Sequence, residues 1–366
     1  MSRELFGYEA ETLNIDYNRI FLLSDLHFGI RANSLEWLEN QESFFKDFYI
    51  PWLKENMQDG DILFVLGDWF DNRQLLDILV MNVSIDIVEE LASIIPLYFI
   101  TGNHDIYKKK DTDVHSLRSF KSAENVTIFE KPVIVTNGKS SIFALPWVGS
   151  KKEEELYAKA NEADYLFAHT DISGFMYDNG HEIIKGANLL KDTGFKKVIS
   201  GHIHKRQQQG NGYYVGSPYH TKRSDIGNVK GVWLLHPDEN KLEFKENEHS
   251  PIFQKLRLET LMEYTLDEAY NKLKNNYTDI IVPDKYIHLF SLPRFISLLA
   301  DCPYKRLEAA GEKDKLDDEE TIMRGENTKD LKTLIEEGIE SKNYNKEVIE
   351  KLKELNSKYY KMSSEE

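Results

Sequence analysis

Five short segments carry side chains able to bind metals or move protons. They are Asp25-Leu26-His27, Gly67-Asp68 with Asp71 three residues on, Gly102-Asn103-His104-Asp105, Ala168-His169, and Gly201-His202-Ile203-His204. Asp, His and Asn offer the oxygen and nitrogen donors that suit manganese, iron or zinc. In D-x-H and H-x-H the donors lie two residues apart, so on extended backbone they share a face. Alone, a D-x-H or H-x-H reads as incidental and G-N-H-D as a turn. Their common placement changes that reading, because each segment ends an apolar run: Arg19–Ser24, Asp61–Leu66, Leu97–Ile100, Tyr165–Ala168 and Lys197–Ser200. Carboxylates and imidazoles there are costly if unpaired, and two divalent ions would satisfy them together. Such ions, about 3.5–4 Å apart, bind a phosphate and activate water for in-line attack.

The elements that must position these residues follow from the apolar pattern. Runs of this length separated by helices read as buried parallel strands. In open α/β sheets the C-terminal ends of such strands are where ligands bind. Helices are expected over residues 34–56, kinked or split by Pro51, and over Leu75–Leu91. Closely spaced runs at Val126–Phe129, Pro132–Thr136, Ser141–Leu145, Tyr213–Val215 and Val232–Leu235 suggest a second, mostly β half. The texture changes after about Pro251. Residues 256–303 read as a small mixed domain and 308–327 as an acidic linker. Leu331, Leu334 and Ile335, then Val348, Leu352, Leu355 and Tyr359, form the apolar stripes of a helical hairpin that packs on its own chain or on a partner. The expected divisions are 1–250, 251–307, 308–327 and 328–366.

A single cysteine, Cys302, excludes an internal disulfide framework and suits a reducing cytoplasm. No signal peptide or membrane span is expected. The net charge of −16 argues against a nucleic-acid binder working through a broad basic surface. Three basic clusters nevertheless follow the ligand-bearing segments: Lys108-Lys109-Lys110, Lys205-Arg206 and Lys222-Arg223. They are candidates for phosphate-backbone contacts, with solubility as the plain alternative. His220 is placed to line the site, whereas His115, His181, His236, His249 and His288 read as surface or loop residues.

D-x-H, G-D-x-x-D, G-N-H-D, a single His and G-H-x-H, in that order over residues 19–220, resemble the calcineurin-type metallophosphoesterases. S-D-L-H-F-G, G-D-W-F-D, T-G-N-H-D, S-G-H-I-H and G-S-P-Y resemble more narrowly the SbcD-type nucleases, in the form found in phage recombination endonuclease subunits. The resemblance implies a four-layer α/β sandwich of two mixed sheets flanked by helices, a small α+β capping domain and a C-terminal helical hairpin. It implies one metal held by Asp25, His27, Asp68 and His204, and a second by Asp68, Asn103, His169 and His202, with Asp68 bridging. The expected ions are Mn2+, with Mg2+, Fe2+ or Zn2+ as alternatives. His104, beside a ligand but itself free, would protonate the leaving oxygen, and Asp105 would orient it. Many relatives have His at the position of Asp71, so Asp71 is expected to hydrogen-bond a ligand histidine instead.

The implied function is metal-dependent DNA hydrolysis in end processing, recombination and repair, exonucleolytic on duplex DNA and endonucleolytic on single strands. The implied partners are DNA, an SbcC-type ATPase gripped by the hairpin, and a second copy of the chain. A protein phosphatase is disfavoured, because Asn72-Arg73 follows Asp71 where Arg-Gly is usual and Asp105 stands where Glu is usual. A small-molecule phosphodiesterase would have little use for the cap and tail. An idle scaffold for the ATPase would tend to lose ligands, and none is missing.

Overall fold

The computed structural model describes residues 10–108, 111–160, 162–191, 193–283, 285–286, 305–309 and 350. Two sheets face each other. In the first, β2 (Ile20–Leu23), β3 (Ile62–Val65), β4 (Leu97–Ile100) and β7 (Val126–Phe129) run parallel, and β14 (Gly231–His236) and β15 (Lys241–Glu246) extend the β2 edge antiparallel. The second has the order β1 (Glu11–Asn14), β8 (Val133–Thr136), β9 (Ser141–Leu145), β10 (Tyr165–His169), β11 (Lys197–Gly201), β13 (Gly212–Tyr214) and β12 (Gln207–Gln209).

Period-2 alternation assigns each strand residue to a layer. Ile20, Leu22, Ile62 and Phe64 point between the sheets, where they meet Val133, Val135, Tyr165, Phe167 and Ile199. Phe21, Leu23, Leu63 and Val65 point outward against Phe44, Tyr49, Leu53, Ile87 and Leu91 of the covering helices. Both faces of β2 and β3 are thus buried, which is why they read as unbroken apolar runs. The outer face of the second sheet is covered by the helix Lys151–Ala160 and the irregular segment after β10, through Ala158, Ile172, Phe175, Ile183 and Leu189. The result is the expected four-layer α/β sandwich, with the fourth layer only partly helical.

Pro51 does split the first helical stretch. Leu35–Ser43 is α-helical, Phe44–Tyr49 opens into a wide π turn, and Ile50–Asn56 resumes. Pro51 has no N–H for the carbonyl four residues back, and its ring crowds that carbonyl, so the turn widens just before it. The helix expected over Leu75–Leu91 instead spans Ile78–Ile94. Asn72 accepts from the Gln74 and Leu75 amides (2.9 and 3.0 Å), and Asp77 caps the helix through the Leu79 amide at 2.8 Å. A short hairpin, β5 (Ile106–Lys108) and β6 (Asp111–His115), follows G-N-H-D.

Residues 253–309 add a parallel three-stranded sheet, β16 (Phe253–Arg257), β17 (Tyr277–Val282) and β18 (Lys305–Ala309), with helices Leu258–Met262 and Leu266–Lys274. Its third strand runs past the boundary expected at 307. Trp37 stacks on Tyr277 at 5.2 Å, and Tyr277 on Phe253 at 4.6 Å, joining this sheet to the helix Leu35–Ser43. The linker expected at 308–327 and the hairpin residues Leu331, Leu334, Ile335, Val348, Leu352, Leu355 and Tyr359 lie outside the described residues, apart from Glu308 and Ala309 at the end of β18. Among the described residues, no helix is long and apolar enough to cross a membrane.

Candidate metal centre

The ligand-bearing segments meet at the C-terminal ends of β2, β3, β4, β10 and β11. Their loops approach so closely that two glycines admit no side chain. A Cβ on Gly102 would lie 2.3 Å from the Asp68 nitrogen, and one on Gly201 would lie 2.5 Å from the Leu66 carbonyl. Asp25, His27, Asp68 and His202 all have left-handed backbone, with φ of 54°, 50°, 53° and 88°. Such strain in non-glycine residues collects at functional sites.

Two donor clusters share Asp68. In the first, Nε2 of His27 and Nε2 of His204 lie 2.9 Å apart beside Asp25. That spacing fits two ligands set at right angles about one cation, each at a metal–nitrogen distance of about 2.1 Å. In the second cluster, Nε2 of His169 lies 3.1 Å from Asp68 Oδ2 and 3.1 Å from Asn103 Oδ1, while Nδ1 of His202 lies 2.7 Å from the same Asn103 oxygen. Asp68 Oδ2 is also 3.8 Å from Nε2 of His27, so it stands between the clusters. The donor set fits two divalent ions, and the structure brings together all seven of the expected ligands.

A sequence profile of the Calcineurin-like phosphoesterase family matches residues 18–206, just over half of the 366 residues. The chain belongs to this family. It is 27% identical over 235 residues to Exonuclease subunit 1 of Enterobacteria phage T4, covering 63% of this chain and 68% of that one. It is 30% identical over 167 residues to phosphoesterase 078R of Invertebrate iridescent virus 3, covering 43% of this chain and 47% of that one, so the match spans about half of that relative. Among solved structures, an archaeal phosphodiesterase aligns over 63% of this chain and 99% of its own, at 13% identity and a TM-score of 0.33.

Around this phosphoesterase centre, each ligand histidine is held from behind. Asp71 Oδ1 stands within ion-pair reach of His27 Nδ1, at 3.1 Å, but off the line of a hydrogen bond. Nδ1 of His169 donates to the Leu66 carbonyl at 2.7 Å. Nδ1 of His204 faces the Thr221 hydroxyl at 3.1 Å, and Nε2 of His202 meets Asp171 at 2.9 Å. Such partners fix the tautomer and aim of a ligand. Asp171 and Thr221 escaped the sequence reading, although A-H-T-D at 168–171 places a carboxylate two residues after a ligand. Gln41 also escaped it. Its amide donates to the carbonyls of Leu26 (2.7 Å) and His27 (3.0 Å) from within a helix, where no sequence signal marks it.

Asp105 takes a different part from the one expected. Its carboxylate accepts from the amides of Asp68, Trp69, Phe70 and Gly102 at 2.8–3.2 Å, tying the second loop to the third. His104 is oriented instead by the Asp71 carbonyl, 2.6 Å from its Nδ1. His220 lies instead against the three-stranded sheet, where its Nδ1 accepts from the Phe253 amide at 3.2 Å. His115, expected at the surface, is buried against Glu130 at 2.5 Å.

Most described basic candidates are occupied within the protein. Lys222 pairs with Asp178 at 2.5 Å and Arg223 with Asp279 at 2.8 Å, while the Arg206 guanidinium sits 4.1 Å from the Phe244 ring centre. Lys205 is half-buried and Lys108 exposed; Lys109 and Lys110 lie outside the described residues.

Burial opposes charge on Asp68, but His169, His104 and His27 outweigh it and hold the carboxyl well below the usual range. Burial likewise opposes charge on His169, yet Asp68 and Asp25 push its pKa up to about 9. His204 is held well below its ordinary value by burial and by His27.

Proposed function

We propose that the protein is a two-metal DNA nuclease acting with an ATPase partner in DNA end processing. The observation that carries the reading is a complete pair of donor clusters joined by Asp68, with a free imidazole beside them. His104 uses Nδ1 on the Asp71 carbonyl, which leaves Nε2 open toward a leaving group. Two bound divalent ions would supply charge neutralisation at the phosphate and activation of the attacking water. The mixed carboxylate, amide and imidazole set favours Mn2+, with Mg2+, Fe2+ or Zn2+ as substitutes. As the water oxygen bonds to phosphorus, the P–O bond to the leaving nucleotide breaks, and His104 Nε2 gives its proton to that oxygen. Burial lowers the His104 pKa against the pull of Asp68, which makes its protonated form a stronger acid.

The T4 relative's name supports the nuclease reading and a multi-subunit setting. Residues 251–307 serve as a cap, and the tail stripes at 328–366 bind the ATPase. Leu75, Ile78 and Leu79 are exposed at 71%, 79% and 48%, a surface suited to a second copy of the chain. The acidic mean charge implies weak DNA affinity for the chain alone and greater affinity with the partner.

The test is digestion of end-labelled duplex and single-stranded DNA with Mn2+, beside EDTA and the His104→Ser variant. Metal-dependent cleavage that falls about a hundredfold in His104→Ser, with bound metal retained, is expected. Equal loss of metal in that variant would remove His104 from the role of acid. Hydrolysis of phosphomonoesters in preference to diesters would make the protein a phosphatase instead.

A further inference from the structure

A cleft of about 240 Å³ abuts the loop that carries His104. It is lined by Arg73, Leu76, Met81, Tyr107 and Val114, with the backbone of Ser116 closing it against Asp105, whose carbonyl accepts from the Ser116 amide at 2.8 Å. None of these residues holds the metal centre. Three observations bear on what the cleft accepts.

The first is a cation with an unmet donor. Arg73 is half-buried, its Nε is shielded from water, and no described residue accepts a hydrogen bond from that nitrogen. Lys222, Arg223 and Arg206 all have partners, so the contrast is local. A shielded donor without an acceptor is unfavourable, and a phosphate oxygen would relieve it. The second is a stacking face. Tyr107 is 44% exposed and Val114, on the paired strand, 50% exposed, with Leu76 and Met81 forming an apolar wall. Lys108 lies 5.6 Å from the Tyr107 ring centre and adds positive potential. Aromatic faces beside cations are how proteins hold unpaired bases without reading sequence. The volume falls below the roughly 300–1,000 Å³ of a drug-sized site and leaves room for one base. The third is position. Arg73 lies two residues after Asp71, whose carbonyl aims His104. Tyr107 lies three residues after His104, so two walls of the cleft continue the loops that hold that imidazole.

We infer that the cleft holds the unpaired nucleotide on the leaving-group side of the scissile phosphate, with its base on Tyr107 and its phosphate on Arg73. The inference rests on the nuclease reading above.

The test uses the full chain with Mn2+, a single-stranded oligonucleotide, and bis(p-nitrophenyl) phosphate as a diester too small to reach the cleft. Losing one base stack or one phosphate contact weakens single-strand binding about tenfold or more. Arg73→Gln and Tyr107→Ala should each raise KM for the oligonucleotide about tenfold with little change in kcat, and Tyr107→Phe should restore the KM lost in Tyr107→Ala. Oligonucleotide KM within twofold of wild type in both variants overturns the inference. So does a changed sedimentation coefficient with unchanged KM, which would make the cleft a contact between copies. Wild-type protein that hydrolyses the small diester but no oligonucleotide, even at oligonucleotide concentrations that saturate binding, refutes the nuclease reading, and the proposed occupant falls with it. Wild-type cleavage of DNA with indifferent variants refutes the cleft alone.

Discussion

The two halves of the metal centre share Asp68 but hold their histidines by different means. In the Asp25 half, His27 is backed by the half-buried Asp71 carboxylate and His204 by a hydroxyl. In the Asn103 half, His169 hangs from the Leu66 main-chain carbonyl, fixed by the sheet, and His202 from Asp171, itself 3.3 Å from Lys151. Trp147 adds an aromatic wall there, with ring centres 5.3 Å from His202 and 6.4 Å from His169. The Leu66 carbonyl directly follows β3 and is held in place by the bond from the Leu66 amide to the Leu23 carbonyl at 2.8 Å, whereas a carboxylate on a loop can rotate away. The Asn103 half is thus the more rigidly pre-set, and its one adjustable support is Asp171.

The largest effect comes from removing what the halves share. Asp68→Ala should lower phosphodiester hydrolysis at least about a thousandfold, the loss of several kcal/mol of transition-state stabilisation. Mass-spectrometric metal content should fall in both halves at once. Retention of one full equivalent of metal would show that the halves are independent and that Asp68 belongs to one of them.

Removing the supports should separate the halves. Asp171→Ala and Asp71→Ala are each expected to weaken one ion about 10–100-fold, the first through His202 and the second through His27. Chelator-competition titration resolves the two binding steps. If each variant weakens both ions equally, the halves are coupled through more than Asp68, and the contrast between them fails.

The same contrast explains what the sequence made legible. The ligands were readable because each ends an apolar run, and a polar donor in that place is costly unless it binds something. Strand limits such as Leu97–Ile100 and Ser141–Leu145 were readable for the same reason: buried strands must be apolar throughout. The supports were mostly hidden. Gln41 reaches its carbonyls from a helix whose sequence gives no hint of the approach, and Thr221 acts from a loop 17 residues after His204. The Leu66 carbonyl has no sequence signature, since every residue carries one. Asp105 was misread because G-N-H-D makes it a neighbour of His104, while the fold turns its carboxylate toward four amides that burial would otherwise leave without acceptors. The start of the Ile78–Ile94 helix was misplaced because apolar period alone carried the reading through Asp77, where a side-chain cap decides it.

The smallest effect is a proton count, and it tests the electrostatics of the Asn103 half. In the metal-free protein His169 has its pKa raised to about 9 by Asp68 and Asp25 against burial, and His27 is raised by Asp71 and Asp68 against burial. A raised histidine pKa stabilises the folded state fully below its unfolded value of about 6.5, and that contribution disappears as pH climbs through the folded value. A metal needs the neutral imidazole, so ion binding near neutral pH must expel the proton held on His169 Nε2 between Asp68 and Asn103. Calorimetry at pH 7.5 in buffers of different ionisation heat should therefore record about one or more protons released as the centre fills. Apparent affinity should rise by up to about tenfold per pH unit for each proton released between pH 7 and 9. His204, already held neutral by burial and by His27, should contribute nothing to that count. Binding that releases no proton would mean that Asp68 does not hold His169 charged, and that the Asn103 half is pre-set in its protonation as well as in its geometry.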